Sequence, residues 1–326
     1  MMVDSFNRVH DYLRISLTDN CNLRCFYCMP EEDYSFTPHS RLMQAGEIES
    51  LAKIFVDEGV KKIRLTGGEP LVRKDAGIII KSLAALPVRL AITTNATRLT
   101  EHLQALLDAK MSSVNISLDT LRADRFRMIT RRDLFGSVFE NIQLALKSGI
   151  PVKLNMVVMK GVNEDEINDF IEWTKNDPIH VRFIEFMPFS GNKWSSNKVF
   201  TWHEMLEVIA SKYSYVRMQD DLHDTAKNYM VPHHAGSFSV ISTMSAPFCE
   251  GCNRVRLTAD GKIKNCLFSK EETDLLTPFR EGKDIVPLIR QSIANKAWQL
   301  GGQFDTDFEH LQAAKIHNRT MISIGG

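Results

Sequence analysis

Six cysteines are the residues of this sequence whose spacing most clearly suggests chemistry. Clustered thiolates are typical ligands of zinc and of iron–sulfur clusters. Three thiolates are one ligand short of a closed zinc site or a fully protein-ligated cluster. Each group of three therefore predicts a metal centre with one open position. The two groups are Cys21, Cys25 and Cys28, and Cys249, Cys252 and Cys266.

The first group lies in a predicted loop. Its spacing would fit one face of a helix, but Asn20, Asn22 and Pro30 favour a loop, in which three thiolates can wrap one metal centre. The second group is a pair with two residues between its cysteines and one distant cysteine, which by itself is typical of zinc. Zinc and iron therefore both remain open for the second group on spacing alone.

Composition bounds the class of protein. The chain has 326 residues, 44% hydrophobic and 25% charged, which suits about two globular domains or one α/β barrel and excludes collagen-like, disordered and disulfide-knot chains. Forty Lys and Arg balance forty Asp and Glu. This balance argues against a protein that coats nucleic acid or an anionic membrane, because such binding needs excess positive charge.

The sequence also predicts the compartment. The first twenty residues contain charged side chains and no apolar signal region, and no apolar run approaches the roughly 18 residues that a membrane span needs. We therefore expect a soluble, cytoplasmic protein. Structural disulfides are rare there, which favours metal ligands among the cysteines.

Six β-rich runs alternate with segments of helical periodicity. Apolar stripes at helical spacing occur at 48–56 and 138–146, and amphipathic helices are predicted at 165–175 and 201–212. Alternation of this kind indicates βαβ units and a parallel sheet. The predicted strands are Leu13–Thr18, Lys62–Thr66, Val88–Thr93, Val114–Leu118, Val152–Val158 and Val181–Phe186.

The position of the polar residues distinguishes a barrel from a doubly wound sheet. Polar residues follow most of the strands, whereas a doubly wound sheet would concentrate them at one crevice. We therefore predict an α/β fold with a partial (βα)6 TIM-like barrel at residues 1–212. Residues 213–326 are predicted to form an α+β extension, with strands at 237–243 and 255–266 and a hairpin turn at Asp260-Gly261.

The first cysteine loop, Cys21 to Cys28, resembles the CxxxCxxC loop of the radical S-adenosylmethionine (SAM) superfamily. The resemblance implies a [4Fe-4S] cluster held by three cysteines, with SAM on the fourth iron. Reductive cleavage of SAM would then release a 5′-deoxyadenosyl radical. The Gly-Gly-Glu motif after the second strand resembles the family's SAM contact. The implied SAM-binding residues are Tyr27, Gly68, Ser117 and Met187.

The second cysteine group, with the surrounding Cys-Asn-Arg-Val-Arg hairpin, resembles the C-terminal signature of the GTP 3′,8-cyclase family of molybdenum cofactor biosynthesis. The resemblance implies a second [4Fe-4S] cluster, with an open iron that faces GTP. It also implies an external electron donor and the next enzyme of the pathway as partners, and leaves open whether the chain forms a homodimer. The implied GTP contacts are Arg14, Arg64, Thr93, Lys153, Arg254, Val255 and Arg256.

Cations inside parallel strands support that implication. Such strands are normally buried on both faces, where an unpaired cation is costly. Structural ion pairs are the alternative for each cation, but five cations converging on one barrel mouth favour a phosphate site. The family reaction is abstraction of the 3′ hydrogen of GTP by the deoxyadenosyl radical, followed by bonding of C3′ to C8 of guanine.

Three further features accompany the resemblance. Ala96 and Arg131 stand where the family often has glycine, which puts loop geometry in doubt more than activity. The chain ends in Gly325-Gly326, a pair that in the family reaches toward the active site.

Two other functions remain alternatives: a radical SAM enzyme that modifies peptides with an auxiliary cluster, and a non-enzymatic module with two zinc ions.

Overall fold

The six predicted β-rich runs form six consecutive parallel strands of one sheet. The structure is a computed structural model that describes residues 1–30, 34–304 and 307–325. Every strand lies within two residues of its predicted position. The six strands are β1 (Tyr12–Ser16), β2 (Lys62–Thr66), β3 (Arg89–Thr94), β4 (Ser113–Ser117), β5 (Val152–Val158) and β6 (His180–Glu185).

Helices connect the strands and cover the outside of the sheet. The predicted helices at 48–56, 138–146, 165–175 and 201–212 are confirmed as α1, α5, α6 and α7, whereas α2, α3 and α4 were predicted only as helical segments between strands, without bounds. The helices are α1 (Ala45–Asp57), α2 (Ala76–Ala84), α3 (Leu99–Asp108), α4 (Ala123–Thr130), α5 (Phe135–Lys147), α6 (Ile167–Trp173) and α7 (Trp202–Ala210).

The strand order confirms the partial barrel. Strands β1 to β6 are neighbours in the order of the sequence, and each pair is parallel. A doubly wound sheet reverses its strand order at a switch point, and this sheet has no such reversal among its first six strands. The fold is therefore an α/β partial barrel of six βα units.

Residues after 212 extend both edges of the same sheet. They contribute β7 (Val216–Arg217), β8 (Lys227–Met230), β9 (Ser237–Ile241), β10 (Arg254–Leu257), β11 (Lys262–Lys264) and β12 (Thr273–Asp274), followed by α8 (Leu276–Arg280), α9 (Val286–Ala294) and α10 (Met321–Ile324). Strand β9 pairs with β6, and β10 pairs with β1, both in parallel. The predicted hairpin at Asp260-Gly261 joins β10 to β11.

The predicted boundary at 212/213 falls between α7 and β7. Strands from both sides of this boundary share one sheet. The division into two domains stays a prediction. Among the described residues, every helix is too short or too polar to cross a bilayer.

Alternation along the strands separates the core from the site. In β1, Leu13 and Ile15 are buried in the apolar core, and Tyr12 and Arg14 line a central cavity. Strand β5 repeats this alternation, with Lys153 on the cavity side. Because successive side chains of a strand point to opposite faces, the helix-facing set is apolar and the inward set is polar.

Candidate active site

One cavity of about 750 Å³ brings together most of the predicted site residues. Its volume is in the range of small-molecule sites. The cysteines of both groups line the cavity. Val255 is the exception among the predicted contacts, because its side chain lies in the hydrophobic core. The other predicted residues that line the cavity are Arg14, Tyr27, Arg64, Gly68, Thr93, Ser117, Lys153, Met187, Arg254 and Arg256.

The first cysteine group lies in a loop after β1, as predicted. Backbone hydrogen bonds from Arg24 N to Thr130 O (2.9 Å) and from Phe26 N to Ile129 O (3.0 Å) join this loop to the end of α4. The side-chain amide of Asn95 points at the Cys21 sulfur, with Nδ2 and Sγ 3.7 Å apart. The loop thus presents three unbridged, partly buried thiols to the cavity.

Carboxylates surround this first group. Burial, followed by the nearby charge of Glu69, raises the pKa of the Cys21 thiol to about 11. Burial and then the neighbouring Cys28 and Asp119 groups raise the pKa of Cys25 well above its usual value. The first group is therefore a set of thiols that release protons reluctantly until a cation binds them.

The predicted Gly-Gly-Glu motif packs directly against the cysteine loop. A Cβ atom on Gly68 would lie 2.5 Å from the carbonyl oxygens of Asp19 and Asn20, so no larger residue fits there. Glu69 is fully buried and accepts hydrogen bonds from Thr94 Oγ1 (2.7 Å) and the backbone nitrogens of Leu71 and Asn95. Burial raises the pKa of Glu69 to about 7 despite those bonds.

The other predicted SAM contacts lie around this loop. The Tyr27 hydroxyl donates a 2.6 Å hydrogen bond to Asp119 Oδ2, and the Tyr27 ring packs edge-on against Phe186. Ser117 ends β4, and Met187 follows β6 by two residues. The carboxyl ends of parallel strands therefore gather these side chains at one rim, where barrel enzymes place their sites.

Both departures from the family pattern adopt the conformation that favours glycine. Ala96 has a φ of 61° and Arg131 a φ of 55°, in the left-handed region. Arg131 ends α4 as its C-cap, a position that commonly holds glycine. The expectation that these positions affect loop geometry is thus supported, since each residue carries a Cβ where glycine carries none.

Three arginines form a row across the inner wall of the barrel. Arg14 in β1 lies beside Arg256 in β10 and Arg64 in β2 by strand register. They lie within the strands, as the sequence predicted. Burial and then the neighbouring Arg256 and Arg64 charges hold the pKa of Arg14 well below its usual value. Like charges packed this closely indicate a site for an anion.

A second row lies one step toward the amino ends of the strands. Tyr12 pairs with Arg254 of β10 and Lys62 of β2. The Lys62 ammonium lies 4.6 Å from the centre of the Tyr12 ring. Burial alone would raise the pKa of Tyr12, but the charges of Arg64, Arg14 and Lys62 outweigh burial and lower it to about 8. Neither Tyr12 nor Lys62 was predicted to be a site residue.

The opposite wall carries a cation that was also missed. Arg182 of β6 is buried, donates to Asn115 Oδ1 at 2.5 Å and lines the cavity. Burial and the charges of Arg182 and Arg64 lower the pKa of Lys153 to about 8. The same pattern that identified Arg64, a basic residue inside a parallel strand, would have identified Arg182.

Several buried polar atoms of cavity-lining residues have no hydrogen-bond partner within residues 1–30, 34–304 and 307–325. Buried polar groups are usually hydrogen-bonded, so a ligand with many acceptors and a few donors suits this wall. The atoms are Tyr12 Oη, Arg64 Nε, Thr93 Oγ1, Asn155 Oδ1, Arg182 Nε, Asn253 Oδ1 and Arg254 Nη1.

The second cysteine group lies at the amino end of the parallel strands, opposite to the first group. Cys252 lies two residues before β10, which is parallel to β1, whereas the first group follows the carboxyl end of β1. Cations surround this group. Burial alone would raise the pKa of Cys252, but Lys296 and Arg254 outweigh burial and lower it to about 7. Burial raises the pKa of Cys249.

The penultimate glycine lies between the two halves of the site. Gly325 has a φ of 80°, and a Cβ there would lie 2.5 Å from Thr66 Oγ1 at the end of β2. Arg256 donates a 3.0 Å hydrogen bond to the Gly325 carbonyl oxygen. The predicted approach of the tail to the active site is thus supported for Gly325, and Gly326 lies outside the described residues.

Each cysteine group suits an iron–sulfur cluster with an open position by its donor set. Three free thiols of each group face the same cavity, and the thiols within a group influence one another's pKa. Among the described residues, no three His, Cys, Asp or Glu side chains converge on the position of a single metal ion.

Two family models match the chain. The model described as "Radical SAM superfamily" matches residues 15–174, and the model described as "Molybdenum Cofactor Synthesis C" matches residues 179–301. Their boundary separates the first cysteine group from the second, which agrees with two different roles for the groups.

Relatives in plants, bacteria and animals resemble the chain over its whole length. It is 46% identical to "GTP 3′,8-cyclase, mitochondrial" of Arabidopsis thaliana, covering 100% of this chain and 84% of that protein. It is 43% identical to "GTP 3′,8-cyclase" of Listeria welshimeri, covering 100% and 99%. It is 44% identical to "Molybdenum cofactor biosynthesis protein 1" of Mus musculus, spanning 99% of this chain but only 51% of that longer protein.

Solved structures share the fold at much lower identity. Streptococcus suis SuiB superposes with a TM-score of 0.64 at 15% identity, covering 91% of this chain and 68% of SuiB. At this identity the likeness concerns the fold alone, and the function is indicated by the sequence relatives. The chain belongs to the GTP 3′,8-cyclase family of the radical SAM superfamily.

Proposed function

We propose that this chain catalyses the GTP 3′,8-cyclase reaction in molybdenum cofactor biosynthesis. It would cleave SAM reductively with one electron and abstract the 3′ hydrogen of GTP. After C3′ bonds to C8, a further electron from the external donor and a proton would give (8S)-3′,8-cyclo-7,8-dihydroguanosine 5′-triphosphate. One observation carries the proposal: a single cavity joins two incomplete cysteine sets through a wall of cations. Family membership supplies the reaction.

The first cysteine group and its surroundings would bind the radical source. Cys21, Cys25 and Cys28 would hold a [4Fe-4S] cluster, which when bound supplies the electron that cleaves SAM. Gly68 lets the Gly-Gly-Glu backbone lie against the cysteine loop, so that SAM can contact that backbone. Tyr27, whose hydroxyl is bound to Asp119, would contact the adenine of SAM. Ser117 and Met187 complete the proposed SAM contacts.

The basic residues that line the cavity, together called the cation wall, would bind the triphosphate. Arg14, Arg64 and Arg256 are adjacent by register, and guanidinium groups donate paired hydrogen bonds to phosphate oxygens. Thr93, Lys153 and Arg254 lie around the same space, and we add Arg182 to this set. We assign no side-chain contact to Val255, which faces the core.

The second cysteine group would hold a second [4Fe-4S] cluster against the guanine. Cys249, Cys252 and Cys266 leave one coordination position for the substrate. The protein would then fix GTP at both ends, with the phosphates on the cations and the base at the second cluster. Fixing both reactants in one cavity would lower the entropy cost of the reaction and limit the access of water to the radical.

The remaining expectations are part of the same proposal. They are an external electron donor, the next enzyme of the pathway as the recipient of the product, a cytoplasmic location and the division into residues 1–212 and 213–326. Homodimerisation stays open. The peptide-modifying alternative has in its favour a likeness of fold, at 15% identity, to SuiB bound to a precursor peptide.

An anaerobic assay tests the proposal. Protein reconstituted to about eight irons per chain is mixed with GTP, SAM and a strong reductant, and 5′-deoxyadenosine and the cyclised nucleotide are measured. We expect both products in equal amounts, and neither product without reductant. A reconstituted protein that neither cleaves SAM nor consumes GTP would contradict the assignment, and a colourless protein containing zinc would support the zinc alternative.

A further inference from the structure

The second cysteine group touches a buried lysine that the proposed reaction does not use. The Lys296 side chain is nearly inaccessible, since the residue exposes 3% of its surface. Its ammonium nitrogen lies 3.4 Å from the Cys252 sulfur and 2.9 Å from the carbonyl oxygen of Arg254. The sulfur therefore accepts a hydrogen bond from a full positive charge in a poorly solvated place.

A histidine accepts the third hydrogen bond of that ammonium group. Lys296 Nζ lies 3.4 Å from His10 Nδ1, and His10 Nε2 lies 3.0 Å from Asp4 Oδ2. A neutral histidine with its proton on Nε2 donates to the carboxylate and accepts from the lysine with Nδ1. All three N–H bonds of Lys296 then have acceptors, so its nitrogen is fixed in position.

The amino-terminal segment completes this arrangement. Asp4 Oδ2 also accepts from Arg8 Nε at 2.7 Å. Arg8 in turn donates to the carbonyl oxygens of Cys249 (2.7 Å) and Ala297 (3.0 Å). Asp4, Arg8 and His10 thus tie together the loop of the second cysteine group and the segment that carries Lys296.

We propose that Lys296 is a positioning residue that raises the reduction potential of the cluster held by the second cysteine group, an inference that rests on the proposed second cluster. A reduced cluster carries one more negative charge than an oxidised one. A fixed cation that donates a hydrogen bond to a ligand sulfur stabilises the reduced form more strongly. The contacts of His10, Asp4 and Arg8 keep that cation at the sulfur.

The measurement is a redox titration followed by electron paramagnetic resonance. It uses the full chain with the first cysteine group removed (Cys21→Ala, Cys25→Ala, Cys28→Ala), so that the signal comes from the second cluster alone. We expect Lys296→Met to lower the ratio of reduced to oxidised cluster at a fixed potential about tenfold, which is about 59 mV for one electron. Lys296→Arg, which keeps the charge, should lie close to the parent.

Two further variants keep the test decisive. His10→Ala leaves Lys296 in place but removes one of its acceptors, so it should lower the potential less than Lys296→Met does. Lys227→Met is the matched control, because Lys227 is a half-buried lysine that contacts Trp202 and Ser242 instead of a cysteine. We expect this control to leave the potential unchanged.

The outcomes separate this inference from the proposed function. If the parent without the first group binds no iron, the second cluster itself is contradicted. If it binds about four irons and neither Lys296→Met nor His10→Ala changes the potential, only the role of Lys296 is overturned. If Lys296→Met fails to assemble the cluster, the potential of His10→Ala is decisive. A lowered potential supports the role of Lys296, and an unchanged potential overturns it.

Discussion

The two cysteine groups face one cavity from opposite electrostatic surroundings. The first group lies beside Glu69 and Asp119, and its thiol pKa values are raised. The second group lies beside Lys296 and Arg254, which lower the pKa of Cys252 to about 7. Similar donor sets can therefore hold chemically different centres, because the side chains around a cluster help to set its potential.

This electrostatic contrast fits different roles for the two cysteine groups. Anionic surroundings disfavour added electrons and would therefore make a cluster held by the first group strongly reducing, which suits the proposed reductive cleavage of SAM. Cationic surroundings at the second group would attract a polyanionic substrate. Gly325 lies between the two halves, with its backbone packed against Thr66 and its carbonyl oxygen bound to Arg256.

The sharpest test of the contrast removes one cysteine from each group. Cys25→Ala and Cys252→Ala should each lose about four irons per chain, because a cluster with only two protein thiolates is poorly held. We expect Cys25→Ala to abolish 5′-deoxyadenosine formation. Cys252→Ala should retain SAM cleavage but form no cyclised nucleotide.

Iron analysis and product chromatography on the same preparations check this prediction. Met128→Ala, which changes an exposed residue, serves as the control and should match the parent in both measurements. Loss of SAM cleavage in Cys252→Ala at full occupancy of the first cluster would show that the two groups do not divide the work.

The next largest effect concerns the cation wall. Arg182→Ala should weaken GTP binding about 10- to 100-fold, since a hydrogen bond to a charged group contributes about 1.5–3 kcal/mol. SAM affinity should not change. Equilibrium binding of each ligand measures both values.

Two matched variants sharpen this measurement. Arg182→Lys keeps the charge and should bind GTP better than Arg182→Ala does. Arg98→Ala removes an exposed arginine paired with Glu101 and should leave both affinities unchanged. Equal weakening of GTP and SAM by Arg182→Ala would mean that Arg182 supports the barrel and not the phosphate site.

Removing the tail should have a smaller effect. Deletion of Gly325 and Gly326 removes an acceptor of Arg256 and should reduce turnover about tenfold with unchanged iron content. Gly325→Ala should act in the same direction, because its Cβ would lie 2.5 Å from Thr66 Oγ1. Steady-state kinetics and iron analysis test both changes, and unchanged cyclisation by the truncated protein would refute the prediction.

The smallest effect is a pH dependence at the cation wall. Tyr12 has its pKa lowered to about 8, so the folded protein loses this proton before the unfolded chain does near pH 10. The unfolding free energy of the parent relative to Tyr12→Phe should therefore rise between pH 8 and 10, by on the order of 2 kcal/mol. Chemical denaturation of iron-free protein at several pH values measures this difference.

Binding of GTP should reverse that shift. Phosphate charges offset the cations around Tyr12, so its pKa should return toward its usual value near 10. The absorbance of the ionised phenol in iron-free protein follows the change, with Tyr12→Phe as the blank. Identical titrations of the parent and the variant would show that Tyr12 is not the group that ionises.

Local patterns made much of the fold and site predictable. Strand and helix positions follow from apolar periodicity, and the six cysteines are identified by spacing alone. Lys153 and Arg64 stood out because a cation inside a parallel strand is unusual. Alternation along β10 turns the side chain of Val255 to the core, while Arg254 and Arg256 face the cavity.

The sequence by itself determined the two ligand sets, the parallel βα units and the cations, because each depends on residue types over short stretches of chain. Only the tertiary structure decided that both sets open into one cavity and that they differ in electrostatic surroundings. Lys296 reaches Cys252 across 44 residues of chain and His10 across 286. Such contacts depend on how distant segments pack around the sheet, which no local spacing encodes.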